Sequence, residues 1–368
     1  MSADQRPRHA RPRGDDPSGR AVLGVGVLGA GPVTQAIHLP TLARLTDRFA
    51  VRHVMDVDGA VAAATAARVG AAHSGTLEEL LADEDVDVVA VCSPPQFHAD
   101  QVIAALRAGK RAVLCEKPFA TSRAEAEQIA AVSVETGVPV LVGAMHTFDP
   151  GWTAARRAWG DLPARAHTVR SSIVLPPNPR FEDFATEVHD RAPFPTGRAL
   201  DPAARAGLLS AGVLGLAIHD LPLVREFLPR GARVRVHDAD LLSPFGYGIT
   251  LSAGDRHAVL VAAMHGHWAP RWELDVIADD QALHVEFTPS YVHAGSAVAT
   301  LTAADGSSRT FGPYDRNGYE VEWRTLHDLA HGDAGAAPSL TTLIDDLVLA
   351  VDIAEAAAAA VLPPEAAA

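Results

Sequence analysis

Among the 31 lysine and arginine residues of this 368-residue chain only Lys110 and Lys117 are lysines, and the second sits in Cys115-Glu116-Lys117-Pro118. A guanidinium cannot give up a proton near neutrality, whereas a buried ammonium shifts its pKa readily. A chain that writes arginine almost everywhere therefore has a chemical reason to keep lysine where an oxygen must be polarised or a proton handled. GC-rich coding is the competing reason, and the surrounding motifs decide between them. Gly29-Ala30-Gly31-Pro32-Val33-Thr34 holds two of the three glycines that let a helix N-terminus approach a pyrophosphate, with Thr34 in place of the third. Asp56 lies 25 residues after Gly31, where a carboxylate can accept from ribose hydroxyls and repel a 2′-phosphate, so NAD is expected rather than NADP. Ser93-Pro94-Pro95-Gln96-Phe97-His98 is a stiff loop able to pass beside such a cofactor. Cys92 reads as a small buried hydrophobe, and His98 as a helix-start packing residue ahead of a catalyst. The candidate cofactor contacts are Gly29, Gly31, Pro32, Val33, Asp56, Ser93, Pro94, His98, Glu116 and Lys117.

These residues must be positioned by the elements between them. Apolar runs predict strands over 21–28, 51–55, 86–92, 112–115 and 138–142. Helices are expected after Thr34 to about 46, up to Gly70, from Thr76 with Glu79 as its capping partner, over 98–108, and from Ser122 with Glu125 to Gly137. Continuous apolar strands alternating with helices imply a parallel sheet covered on both faces, an α/β doubly wound fold whose ligands lie beyond the carboxyl ends of the strands. All the motifs above fall at that edge, with Lys117 held by Pro118 towards the nicotinamide ring. Past a helix near 151–159, strand-like runs follow at 164–175, 233–239, 248–252, 257–267, 272–278 and 282–287.

The length favours two domains. A formal charge of −14 argues against nucleic-acid or anionic-membrane partners. Residues 1–20 form a Pro/Gly/Asp/Arg tail without apolar periodicity, expected to be disordered and not to be a signal peptide. The two cysteines, Cys92 and Cys115, make no disulfide framework, so a reducing cytoplasm is expected. His265 and His267 share a strand face, but no third ligand of usable spacing accompanies them and no metal site is expected. Trp268, Trp272 and Trp323 read as core or interface aromatics.

The ordered series Gly29-Ala30-Gly31, Asp56, Ser93-Pro94-Pro95-x-x-His98, Ala105-Leu106-x-Ala108-Gly109-Lys110 and Cys115-Glu116-Lys117-Pro118 resembles the glucose-fructose oxidoreductase / inositol dehydrogenase / rhizopine-catabolism (Gfo/Idh/MocA) family, closely over about 21–150 and loosely beyond. The resemblance implies a Rossmann domain over 21–146 and an α+β domain with a large, mostly antiparallel sheet over 147–339. It further implies that 340–368 packs back on the first domain, that a sheet face makes a homodimer or homotetramer, and that Lys110 is structural. It implies catalytic roles for Lys117 and for a histidine on an Asp-x-x-x-His helix. His219 takes the histidine position within Ser210 to Asp220, but Gly215 takes that of the aspartate.

Oxidising an alcohol needs hydride transfer and removal of the hydroxyl proton; His219 can take the proton while Lys117 polarises the oxygen. Gly215 can neither orient the histidine nor carry the proton onward, and on a continuous helix Asp220 would point about 100° away from His219. The stretch 176–200 offers Glu187, His189, Asp190, Arg180, Arg191 and Arg198, and His146 follows the last strand of the first domain. His146, His189, Asp190, Arg198 and Asp220 are the substrate candidates. The expected function is hydride transfer between nicotinamide and a secondary alcohol or ketone of a sugar, cyclitol or amino sugar. The alternatives are reduction of an imine or unsaturated ring, and a non-enzymatic sensor of NAD or sugar on the same fold.

Overall fold

The computed structural model describes residues 19–362 except 187, 189–200, 265–268, 290, 292, 294 and 336. The candidates His189, Asp190 and Arg198, together with Glu187, Arg191, His265, His267 and Trp268, lie outside the described residues.

Six parallel strands make the first sheet among the described residues: β1 (Leu23–Leu28), β2 (Phe49–Met55), β3 (Ala72–Ser74), β4 (Val88–Val91), β5 (Ala112–Glu116) and β6 (Val140–Gly143), in the order β3-β2-β1-β4-β5-β6. β1 and β4 are buried along their whole length, as continuous apolar strands covered on both faces must be. The chain leaves in opposite directions on either side of the β1/β4 pair, which opens a crevice at their carboxyl ends. The helix Gly59–Val69 is capped by Asp58, whose carboxylate accepts from the amides of Ala60 and Val61. Ser122 accepts from the amide of Glu125 at 3.2 Å, as the capping motif requires. The three-residue edge strand β3 carries no pattern from which it could be expected.

Among the described residues eight strands make the second sheet: β7 (Thr168–Leu175), β8 (Val234–Leu241), β9 (Gly246–Ala253), β10 (Arg256–Met264), β11 (Arg271–Ile277), β12 (Gln281–Glu286), β13 (Val298–Ala303) and β14 (Ser308–Phe311), in the order β14-β13-β12-β11-β7-β10-β9-β8. Every pair is antiparallel except β7 with β10. Burial alternates along β11, with Trp272, Leu274 and Val276 inward, as a sheet with one covered face demands.

Three expectations need revision. The helix anticipated over Ser210 to Asp220 is broken. Pro202–Gly215 ends at the glycine, Ala217–His219 forms a 3-10 turn, and Leu221–Arg225 begins a new helix. Pro222 lacks the N–H that a continuous helix would donate to Ile218, and this separates the two helices. Second, Gly318–Ala330 falls within the sequence limits of the second domain, yet its Trp323 and Leu326 pack with Leu23, Val25 and Val27 of β1. Third, the last helix, Leu340–Ala360, is shared: Leu343 and Leu347 join the first core, while Leu349, Ala350 and Ile353 join the second.

Candidate active site

The β1 loop shows why two glycines suffice. Gly29 adopts φ +90°, and a Cβ there would meet the Ser93 amide nitrogen at 2.7 Å, so only glycine allows the β1 and β4 loops to touch. A Cβ on Gly31 would meet nothing within 4 Å, which leaves its backbone open to close approach. Thr34 has a role of its own, because its hydroxyl donates to the Gly29 carbonyl at 2.6 Å and ties the turn to the helix that follows. Pro32 and Val33 open that helix, which holds a π-type segment over Thr34–His38. Asp56 accepts from the Ala30 amide at 2.7 Å and from the Asp58 amide at 2.9 Å. Its carboxylate is thus fixed against the glycine turn at the end of β2, where a ribose would lie. The open backbone at Gly31 and the fixed carboxylate fit an adenine dinucleotide.

The third and fourth motifs are joined by His98. Its two ring nitrogens lie 2.7 Å from the carbonyls of Pro118 and Ser93, so the ring braces the two loops, and Ser93 donates to Gln101 Oε1 at 2.6 Å. Pro94 is exposed on the rim. Behind the lysine, Glu116 accepts from His38 Nε2 at 3.0 Å, and the Trp323 indole donates to His38 Nδ1 at 3.2 Å. Burial opposes ionisation of Glu116, but the His38 hydrogen bond and the charge of Lys117 outweigh it and hold the carboxyl below its usual range. Lys110 is buried and donates to the Asp83 and Val86 carbonyls at 3.1 and 2.9 Å, a structural use of its ammonium.

Lys117 reaches across to the second domain, where its Nζ donates to the Gly215 carbonyl at 2.9 Å. Burial lowers its pKa, with Glu116 opposing. His219 stands beside it, with Nδ1 3.2 Å from Met145 Sδ. Burial, and then the charges of Lys117 and His146, push the imidazole well below its ordinary value, so His219 is neutral at pH 7. A cavity of about 350 Å³ opens at this junction, lined by Pro95, Lys117, Pro118, Leu214, Gly215 and Val351 among others. Gly215 is exposed, and a Cβ there would meet nothing within 4 Å.

His146 and Asp220, expected to meet substrate, are buried behind His219 instead. Asp220 accepts from His146 Nδ1 at 2.9 Å, from Ser171 Oγ at 2.6 Å and from the Trp272 indole at 2.8 Å. The 3-10 turn that replaces the helix is what rotates Asp220 inward. His38, Gln101, Met145 and Ser171 are site residues that the motifs did not reveal; the first two and Ser171 lie inside expected elements and Met145 beside His146, but nothing in their types or spacing singled them out.

A glycine turn, a strand-end carboxylate and a lysine facing a histidine across two domains define a dinucleotide-binding class of two-domain protein. Residues 23–144, a third of the chain, match a family model described as the oxidoreductase family with an NAD-binding Rossmann fold, which is what this domain is similar to. It is 50% identical over 90 residues to 4-carboxy-2-hydroxymuconate-6-semialdehyde dehydrogenase of Sphingobium, covering 24% of this chain and 28% of that protein. It is 34% identical over 144 residues to an inositol 2-dehydrogenase of Saccharopolyspora erythraea, covering 38% and 42%. In both cases the matched stretch spans less than half of the relative. A 3-ketoreductase from Actinomadura kijaniata solved with NADP shares the fold across 91% of this chain and 96% of its own, with a TM-score of 0.66 at 20% identity.

Proposed function

We propose that the chain is an NAD-dependent oxidoreductase that moves a hydride between nicotinamide and a secondary alcohol or ketone of a sugar, cyclitol or amino sugar. The observation that carries this reading is the meeting of Lys117 with the Gly215 carbonyl, both residues lining the cavity, beside a neutral His219 at the carboxyl edge of the first sheet. When bound, NAD supplies the hydride acceptor. Gly29, Gly31 and Asp56 would hold it. His219 accepts the hydroxyl proton of the substrate, and the Lys117 ammonium stabilises the charge that develops on the same oxygen. The fixed Asp56 carboxylate supports NAD over NADP. We place the enzyme in the cytoplasm as a homodimer or homotetramer, which sedimentation would check.

The apolar side of the cavity, with Pro95, Pro118, Leu214 and Val351, supports a second reading, reduction of an imine or unsaturated ring. The test is reduced-nicotinamide absorbance with NAD and a polyol panel, and with NADH and keto-sugars, cyclic imines and unsaturated rings. Lys117→Met and His219→Ala are each expected to lower kcat by about 10²-fold or more. Variants that turn over a found substrate as well as wild type would show the site to be misassigned.

A further inference from the structure

The departure at Gly215 leaves the reaction without a carboxylate beside the histidine, and the molecule holds another one nearby. His146 lies in the short helix Met145–Phe148 after β6, at the carboxyl edge of the first sheet, and its ring lies 6.1 Å from that of His219, centroid to centroid. Its orientation is set on three sides. Phe287 stacks on it at 4.0 Å, Trp272 meets it edge-on at 4.7 Å, and Nδ1 donates to Asp220. Because the carboxylate only accepts, Nδ1 carries the proton and Nε2 keeps a lone pair. That Nε2 is buried and has no hydrogen-bond partner among the described residues. A buried acceptor left open in this way costs free energy, and a role in the chemistry is one reason for a fold to keep it.

We propose that His146, oriented by Asp220, is the proton acceptor that replaces the absent carboxylate: the proton that His219 takes from the substrate hydroxyl passes on to Nε2 of His146. The proposal rests on the oxidoreductase reading. In oxidation the O–H bond of the substrate breaks, its proton bonds to His219, a proton leaves His219 for His146, and His219 returns to neutral. The electron pair of the C–H bond leaves with the hydride. In reduction the proton runs the other way. No hydrogen bond joins the two rings, whose centroids lie 6.1 Å apart, so the proposed transfer runs through one bridging water. A proton rests poorly on His219 beside Lys117, whereas on His146 it lies against the Asp220 carboxylate, held in place by Ser171 and Trp272. The other titratable groups around the pair are Asp149 from the same segment and Tyr247 from β9, the latter against Asp220.

The relay is tested on the full chain with NAD bound. Nitrogen NMR of labelled histidine, with His146 assigned by His146→Gln, is expected to show the Nδ1–H tautomer; a proton resting on Nε2 overturns the proposal whether or not a substrate has been found. In turnover, His146→Gln and Asp220→Asn are each expected to lower kcat about 10²-fold with KM changed less than about threefold. Asp220→Asn is expected to move the acid limb of the pH profile downwards, and added imidazole to restore turnover in His146→Gly. Variants with the kcat and pH profile of wild type overturn the relay. Absence of hydride transfer in wild type would instead count against the oxidoreductase reading.

Discussion

His219 illustrates how a single residue can be found in the sequence while its working state cannot. Its position was legible from the resemblance, but its lowered pKa comes from burial against Lys117 and His146, which no spacing records. Only the neutral imidazole accepts a proton, so the rate of oxidation is expected to stay level as pH falls to the ordinary imidazole value of about 6.5, and to decline below it. A pH profile of kcat/KM whose acid limb lies above that value would contradict this. Asp220 was named, but as a substrate contact, because its environment was deduced from a helix that the chain does not form. Asp56 was placed correctly at a strand end, yet its bond to the Ala30 amide shows a second duty. Asp56→Ala should therefore weaken NAD binding, read by calorimetry, and also cost about 1 kcal/mol of stability.

At the scale of elements, the parallel sheet was the most legible part, because buried strands on both faces leave long apolar runs between glycine stops. β13 and β14 were missed although Ala299 and Leu301 alternate inward, since their other positions apart from Val298 and Phe311 are polar or small. The two glycines of the first turn offer a paired prediction. Gly29→Ala forces a Cβ against the β4 loop at positive φ and should destabilise the fold by about 1–3 kcal/mol, seen as a lowered Tm. Gly31→Ala has room and should keep its Tm, while its KM for NAD rises because the added methyl stands where the backbone must approach the cofactor. A Gly31→Ala variant with unaltered KM would remove the turn from the binding site.

The whole molecule contains an acid that the proposed reaction does not use. Glu322 is buried, neither of its oxygens has a hydrogen-bond partner among the described residues, and burial first and Glu116 second raise its pKa well above the carboxylate range, with His38 opposing. Asp346 is pushed up to about 6 by burial, against the pull of Arg225. For each, the native state holds its proton more tightly than the unfolded chain does. The stability they allow is complete below the ordinary carboxyl pKa and is lost as pH climbs towards the raised native value. Glu322→Gln removes one such loss, so its Tm should fall less than that of wild type between pH 5 and pH 8. A parallel fall in both proteins would show that Glu322 is not protonated in the native state.

Trp323, Leu326, Leu343 and Leu347 come from beyond residue 317 yet complete the core around the first sheet. The nucleotide-binding half is therefore not a portable cassette. A gene cut after residue 146 would encode a sheet stripped on both sides, and such a fragment should bind hydrophobic dye and melt without a cooperative transition. Any recombination of this half with a foreign substrate domain must carry these two distant helices along, or supply four apolar side chains in their place.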